Sequence, residues 1–128
     1  MSNGTCSMPE VVTNGRYLGT TANRSNALSP STCSFGAGGG EAVFQFELED
    51  PMEVLMCVNT ERSSIDTVLH VREAMCSSDE AEIACDDDGG ESTTSSTSFA
   101  AQPDTTYYIV VDSYSTEGNF VLTVEPCP

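Results

Sequence analysis

Apolar and polar residues alternate along most of the chain with a period of two. Over Glu41 to Leu48, Ala42, Phe44, Phe46 and Leu48 stand against Val43, Gln45 and Glu47, which predicts a β-strand with one face in a core. Glu49-Asp50-Pro51 breaks the pattern, and Val54, Met56 and Val58 resume it with Leu55 and Cys57 facing the other way. A turn joins the two runs, so they are expected to pair antiparallel. Ile65, Thr67, Leu69 and Val71 then alternate with Asp66, Val68, His70 and Arg72. Thr97 to Ala100 reads as a strand entering the core, and Gln102-Pro103-Asp104-Thr105 as a turn set by its proline and aspartate. Tyr107 to Val111 is the longest apolar run, rich in aromatic and β-branched residues, and predicts a central strand. Phe120, Leu122 and Val124 alternate in a last one.

A shorter strand is predicted around Arg16, Tyr17 and Leu18, after the Asn14-Gly15 turn signal. No amphipathic helix stands out, although Ala74 to Ala84 has room for one helical turn. From Ala22 to Gly40 the composition shifts to Ser, Asn, Pro and Gly, and this stretch reads as a long surface loop pinned by Cys33. Seven or eight short strands at hairpin-like spacing predict an all-β fold, an antiparallel two-sheet β-sandwich or jelly roll. At 128 residues the chain is expected to be one domain, residues 1–128.

Charge changes the picture of partners. Twenty acidic residues against four basic ones give a formal charge of -16, which argues against nucleic acid and anionic membranes, since both need positive charge at the contact. No apolar run approaches the length of a membrane span. No signal peptide is visible, and the simplest reading is a mature exported domain behind an added Met1. Asn3-Gly4-Thr5 and Asn23-Arg24-Ser25 match the short glycosylation sequon.

Six cysteines without a CxxC pair, beside a single histidine, fit disulfides better than a thiolate metal site. An oxidising, extracellular or cell-surface location follows. Cys6, Cys33, Cys57, Cys76, Cys85 and Cys127 allow fifteen pairings, and sequence alone does not choose among them. Loop length favours Cys76 with Cys85; Cys33 with Cys57 would tether the glycine-rich loop to a strand; by elimination Cys6 would join Cys127 and clamp the chain ends.

Candidate chemistry concentrates after Cys85. Asp86, Asp87 and Asp88 are adjacent and precede Gly89 and Gly90. Three neighbouring carboxylates repel one another unless water, donors or a cation screens them, so a Ca²⁺ site is the sharp expectation, with Asp66 or Asp112 supplying further oxygens. A solvated acidic turn is the bland alternative, and the run fits neither an EF-hand nor a nonapeptide β-roll. His70, sharing a strand face with Asp66 and Arg72, is expected to be exposed or half-buried. With one histidine and no G-x-S-x-G elbow, a serine hydrolase is disfavoured, and a metalloenzyme lacks imidazole ligands.

The order GGGEAVFQFEL, SSIDTVLHVR, CSSDEAEIACDDDGG and TTYYIVVDSYSTEGNFVLTV resembles the bacterial pre-peptidase C-terminal domain, in the cysteine-rich form of secreted and surface proteins of myxobacteria. The resemblance covers about Gly38 to Val124. Ile65 stands where an aromatic is usual, Asp86 where Asn is common, and Ser113 where glycine is frequent. The resemblance implies a non-catalytic accessory module attached to a parent secreted protein, expected to be monomeric. Related collagen-binding modules of bacterial collagenases have a similar sandwich, bind calcium and attach to the substrate, but their calcium motif lies in an N-terminal segment without a match here. The alternative is an adhesion domain that binds carbohydrate or protein, with Tyr17, Tyr107 and Tyr114 as candidate contacts.

Overall fold

The computed structural model describes residues 4–22, 24, 28, 33, 40–87, 90, 93–113 and 117–128. Among them nine strands form two sheets: β1 (Glu10–Val12), β2 (Gly15–Thr20), β3 (Glu41–Glu47), β4 (Val54–Asn59), β5 (Thr67–Glu73), β6 (Glu82–Asp86), β7 (Ser96–Ala101), β8 (Thr106–Ser113) and β9 (Asn119–Pro126). Sheet A runs β1-β3-β8-β5-β6 and sheet B runs β2-β9-β4-β7. All neighbours are antiparallel except β1 with β3. One 3₁₀ turn, Asp79–Ala81, precedes β6.

The period of two builds the core as expected. Phe44, Phe46, Leu69, Val71, Ile109 and Val111 from sheet A meet Met56, Val58, Phe99, Phe120, Leu122 and Val124 from sheet B. Phe44 packs edge-on against Phe120, and Phe46 against Phe99, the arrangement aromatic quadrupoles prefer. The chain does not make the expected β3–β4 hairpin. The turn at Glu49-Asp50-Pro51 carries it from sheet A to sheet B, so β3 pairs with β8 and β4 with β7 and β9.

Sheet A is buried on both faces. Val43, Val110 and Cys76 on its outer side join Leu28, Cys6 and Tyr108 in a second apolar cluster. A flap that includes Gly4 and Cys6 of the N-terminal segment and Leu28 and Cys33 from between β2 and β3 covers it: the Val43 amide donates to the Gly4 carbonyl at 2.8 Å, and the Leu28 amide to both Glu41 oxygens at 2.9 and 3.2 Å. Gly40, where the flap rejoins β3, must be glycine, because a Cβ there would overlap the Thr21 and Arg24 carbonyl oxygens. Sheet B has no such cover among the described residues, and Leu18 and Leu55 on its outer side are exposed.

All six cysteines are paired, but as Cys6–Cys76, Cys33–Cys85 and Cys57–Cys127, which corrects the expected Cys76–Cys85, Cys33–Cys57 and Cys6–Cys127. Cys85 stands opposite His70 on β5, whereas Cys76 lies beyond that strand's end at Glu73. At ~3.3 Å per strand residue the two are ~10 Å apart or more, beyond the reach of a disulfide. Cys33 bonds on sheet A's side while Cys57 belongs to sheet B, so the sandwich separates them. The same separation keeps Cys6 from Cys127. Two bridges therefore staple the flap to sheet A, and the third ties the C-terminus to β4.

Candidate functional site

A row of ionisable side chains lies under the flap, on the outer face of sheet A. Glu41 is opposite Asp112, and Asp112 is opposite Val68; two residues along β5 comes His70, then Arg72 opposite Glu82 of β6. His70, Arg72 and Asp112 are completely buried and Glu41 nearly so, correcting the expectation of an exposed or half-buried His70. Alternation placed His70 on the non-core face, but the flap turns that face into a second interior.

His70 Nδ1 lies 3.6 Å from Glu82 Oε1 and Nε2 lies 3.9 Å from Asp112 Oδ2, too far for hydrogen bonds. Burial, and then the Arg72 charge, hold the imidazole pKa down at about 3. Burial, and then the Glu41 charge, push Asp112 up to about 8, against the opposing pull of the Ser113 amide and Arg72. At pH 7 His70 is therefore neutral and Asp112 protonated. Arg72 is anchored by the Cys76 carbonyl and Asp79, both at 3.0 Å.

The two shifts act on stability with opposite signs. Asp112 holds a proton in the folded state that the unfolded chain releases near pH 4, so its contribution falls as pH rises toward 8. His70 refuses a proton that the unfolded chain takes up below its model value of 6.5, so its contribution falls as pH drops below that. Between about pH 4 and 6.5 they cancel, and from 6.5 to 8 stability should decline by at most ~1.4 kcal/mol per pH unit. Asp112→Asn keeps an oxygen for the Ser113 amide and removes the titration. Urea unfolding from pH 5 to 8.5 should show that decline flattened in the variant; an unchanged slope would contradict the assignment.

Of the expected calcium ligands, Asp112 stands apart from Asp66, Asp86 and Asp87. The start of β5 lies beside the end of β6, which brings Asp66, Asp86 and Asp87 to one end of sheet A. Asp86, opposite the core residue Leu69, accepts the Ser96 amide through Oδ2 at 2.8 Å. Asp112 stands on the opposite, outer face, and Asp88 lies outside the described residues. Among the described residues no group of three or more His, Cys, Asp or Glu side chains is placed to hold a metal.

The Ser/Thr run after the acidic turn, which reads like a linker, holds that turn in place. Thr60 Oγ1 is 2.6 Å from Thr67 Oγ1, which is 3.0 Å from Ser95 Oγ. The Ser95 hydroxyl lies 2.8 Å from the Thr67 carbonyl and 2.6 Å from the Asp87 carbonyl, to either of which its proton can be donated. Thr60, Thr67 and Ser95 are all fully buried. Only the alternation at Thr97 to Phe99 hinted at this, since hydroxyl side chains carry no periodic hydrophobic signal.

The candidate aromatic contacts fare differently. Tyr107 is fully buried in the core, with its hydroxyl accepting the Gln102 amide, which removes it from any surface. Tyr17 is half-buried, its hydroxyl bonded to the Thr13 backbone. Tyr114 lies outside the described residues.

The fold and its sites define a disulfide-stapled all-β sandwich whose single histidine is fully buried. Among solved structures it is similar to the pre-peptidase C-terminal domain of collagenase from Bacillus anthracis, with a TM-score of 0.58 and 17% identity over 91% of this chain and 93% of that one. No protein-family model matches the chain, and no curated protein does. The likeness is one of fold, and it agrees with the architecture expected from the strand pattern.

Proposed function

We propose that the chain is a non-catalytic accessory module of an exported bacterial protein, which attaches to or positions something else. The observation that carries this reading is the burial of His70, the only histidine in the chain, beneath the stapled flap. A general base that no substrate touches cannot serve hydrolysis. Three disulfides and the likeness to a collagenase's pre-peptidase C-terminal domain support an extracellular setting beside a larger parent protein. No helix among the described residues is long and apolar enough to cross a membrane. The isolated chain, tested on an array of extracellular proteins and glycans alongside ester and peptide substrates, should bind at least one polymer and turn over none. Reproducible turnover by the purified chain would overturn the reading.

A Ca²⁺ ion is a separate clause of the proposal. Asp66, Asp86, Asp87 and Asp88 with turn carbonyls are the residues that would hold it, whereas Asp112 faces away. Calorimetry in 2 mM CaCl₂ against EDTA should raise the melting temperature by several degrees. An unmoved transition would end this clause and leave the accessory reading intact.

A further inference from the structure

Among the described residues sheet B keeps a broad open face, and the chain's exposed cations gather there. Arg16 of β2, Thr123 of β9, Asn59 of β4 and Ser96 of β7 form one straight row across all four strands. Arg62, in the turn after β4, joins Arg16 on a groove of about 450 Å³. An adjoining hollow of about 370 Å³ shares Arg16, Thr123 and Glu125 with it.

The chain has four basic residues. Arg72 is buried against Asp79, and Arg24 Nε donates to the Thr20 carbonyl at 2.7 Å. Arg16 and Arg62 are exposed, and among the described residues neither guanidinium makes a hydrogen bond or ion pair. In a molecule of charge -16 that is an unusual place to leave two cations unpaired. Glu61 and Glu125 line the same groove without bonding them, so the groove is near neutral while the rest of the surface repels anions.

We propose that this face binds an extended polypeptide segment through its carboxylate side chains, with Arg16 and Arg62 as the anchoring forks. Guanidinium matches carboxylate with two parallel N–H···O bonds, and Thr123, Asn59 and Ser96 offer hydroxyl and amide partners to a peptide backbone crossing the row. A peptide fits better than an acidic glycan because no aromatic ring lines either hollow, and sugars are usually held against such rings. The inference rests on the accessory reading and names its partner.

The test is fluorescence anisotropy at ~0.15 M salt with a labelled decapeptide of alternating Glu and Thr, its Gln-Thr counterpart and a labelled oligogalacturonate. The acidic peptide should bind saturably and the Gln-Thr peptide weakly or not at all. Arg16→Gln with Arg62→Gln should weaken binding about tenfold or more, while Glu125→Gln, which removes a repelling carboxylate, should strengthen it about two- to fivefold. The three positions are exposed or on the rim, and unchanged circular dichroism verifies folding. Absence of saturable binding by the wild-type chain, undiminished binding by the double variant, or tighter binding of the oligogalacturonate overturns the proposal. If binding fails here but another polymer on the array is held without turnover, the accessory reading survives and only the partner falls.

Discussion

Replacing Cys6 and Cys76 together by alanine is expected to cost about 4 kcal/mol of stability. The bridge joins residues 70 positions apart, and in the chain-entropy account a loop of that length restricts the unfolded state by about that amount. The loss is large beside the 5–15 kcal/mol typical of a domain. It should also be local before it is global. Leu28, Val43, Val110 and Tyr108 pack around this bridge, so the flap should open while the core between the sheets persists. Hydrogen exchange should therefore quicken first at the Val43 and Leu28 amides, which are bonded to Gly4 and Glu41. A doubly substituted chain as stable as the wild type, with those amides equally protected, would contradict the stapled flap.

Truncating Arg72 should have the next largest effect. Arg72 is the largest fully buried side chain among the described residues, and its guanidinium holds the Cys76 carbonyl beside the bridge to Cys6. Arg72→Ala leaves a cavity and an unmet carbonyl, at a cost of about 3 to 5 kcal/mol. Asp79, its partner, is 61% exposed, so loss of the ion pair itself adds little. Arg72→Met retains most of the volume and should cost about half as much. Urea unfolding of the two variants separates the readings: equal losses would assign the effect to charge instead of packing.

The strand faces were legible because the core between the sheets is made of Phe, Ile, Leu and Val at alternate positions. β3, β5, β8 and β9 place Phe44, Leu69, Ile109 and Leu122 inward as the pattern predicts. The outer face of sheet A was not legible. Its lining mixes Val43 and Val110 with Glu41, His70, Arg72 and Asp112, a polar alternation that elsewhere means solvent, and Leu28 and Cys33, which help to cover it, stand in a Ser-, Gly- and Pro-rich stretch of sequence that reads as loop. β6 escaped for a related reason: Glu82, Cys85 and Asp86 interrupt any hydrophobic period, and one of its apolar residues, Ile83, is 44% exposed. β1, three residues long, is too short to show a period at all.

The acidic turn was legible as a run of carboxylates, but not which other carboxylates stand beside it. Asp66, Asp86 and Asp87 lie at one end of sheet A, because β5 and β6 are antiparallel neighbours. Asp112 does not join them, since an even offset along β8 puts it on the flap side. Sequence separation says nothing about which face of a sheet a carboxylate takes until the register is known. The unpaired arginines were likewise invisible, because a count of four basic residues does not tell which two have partners.

Peptide mapping by mass spectrometry of the unreduced protein tests the central claim, a sandwich with one face sealed by a stapled flap and the other left open. The account predicts linked fragments for Cys6 with Cys76, Cys33 with Cys85 and Cys57 with Cys127. A fragment joining Cys76 to Cys85, or free thiol at Cys6 or Cys33, would contradict it.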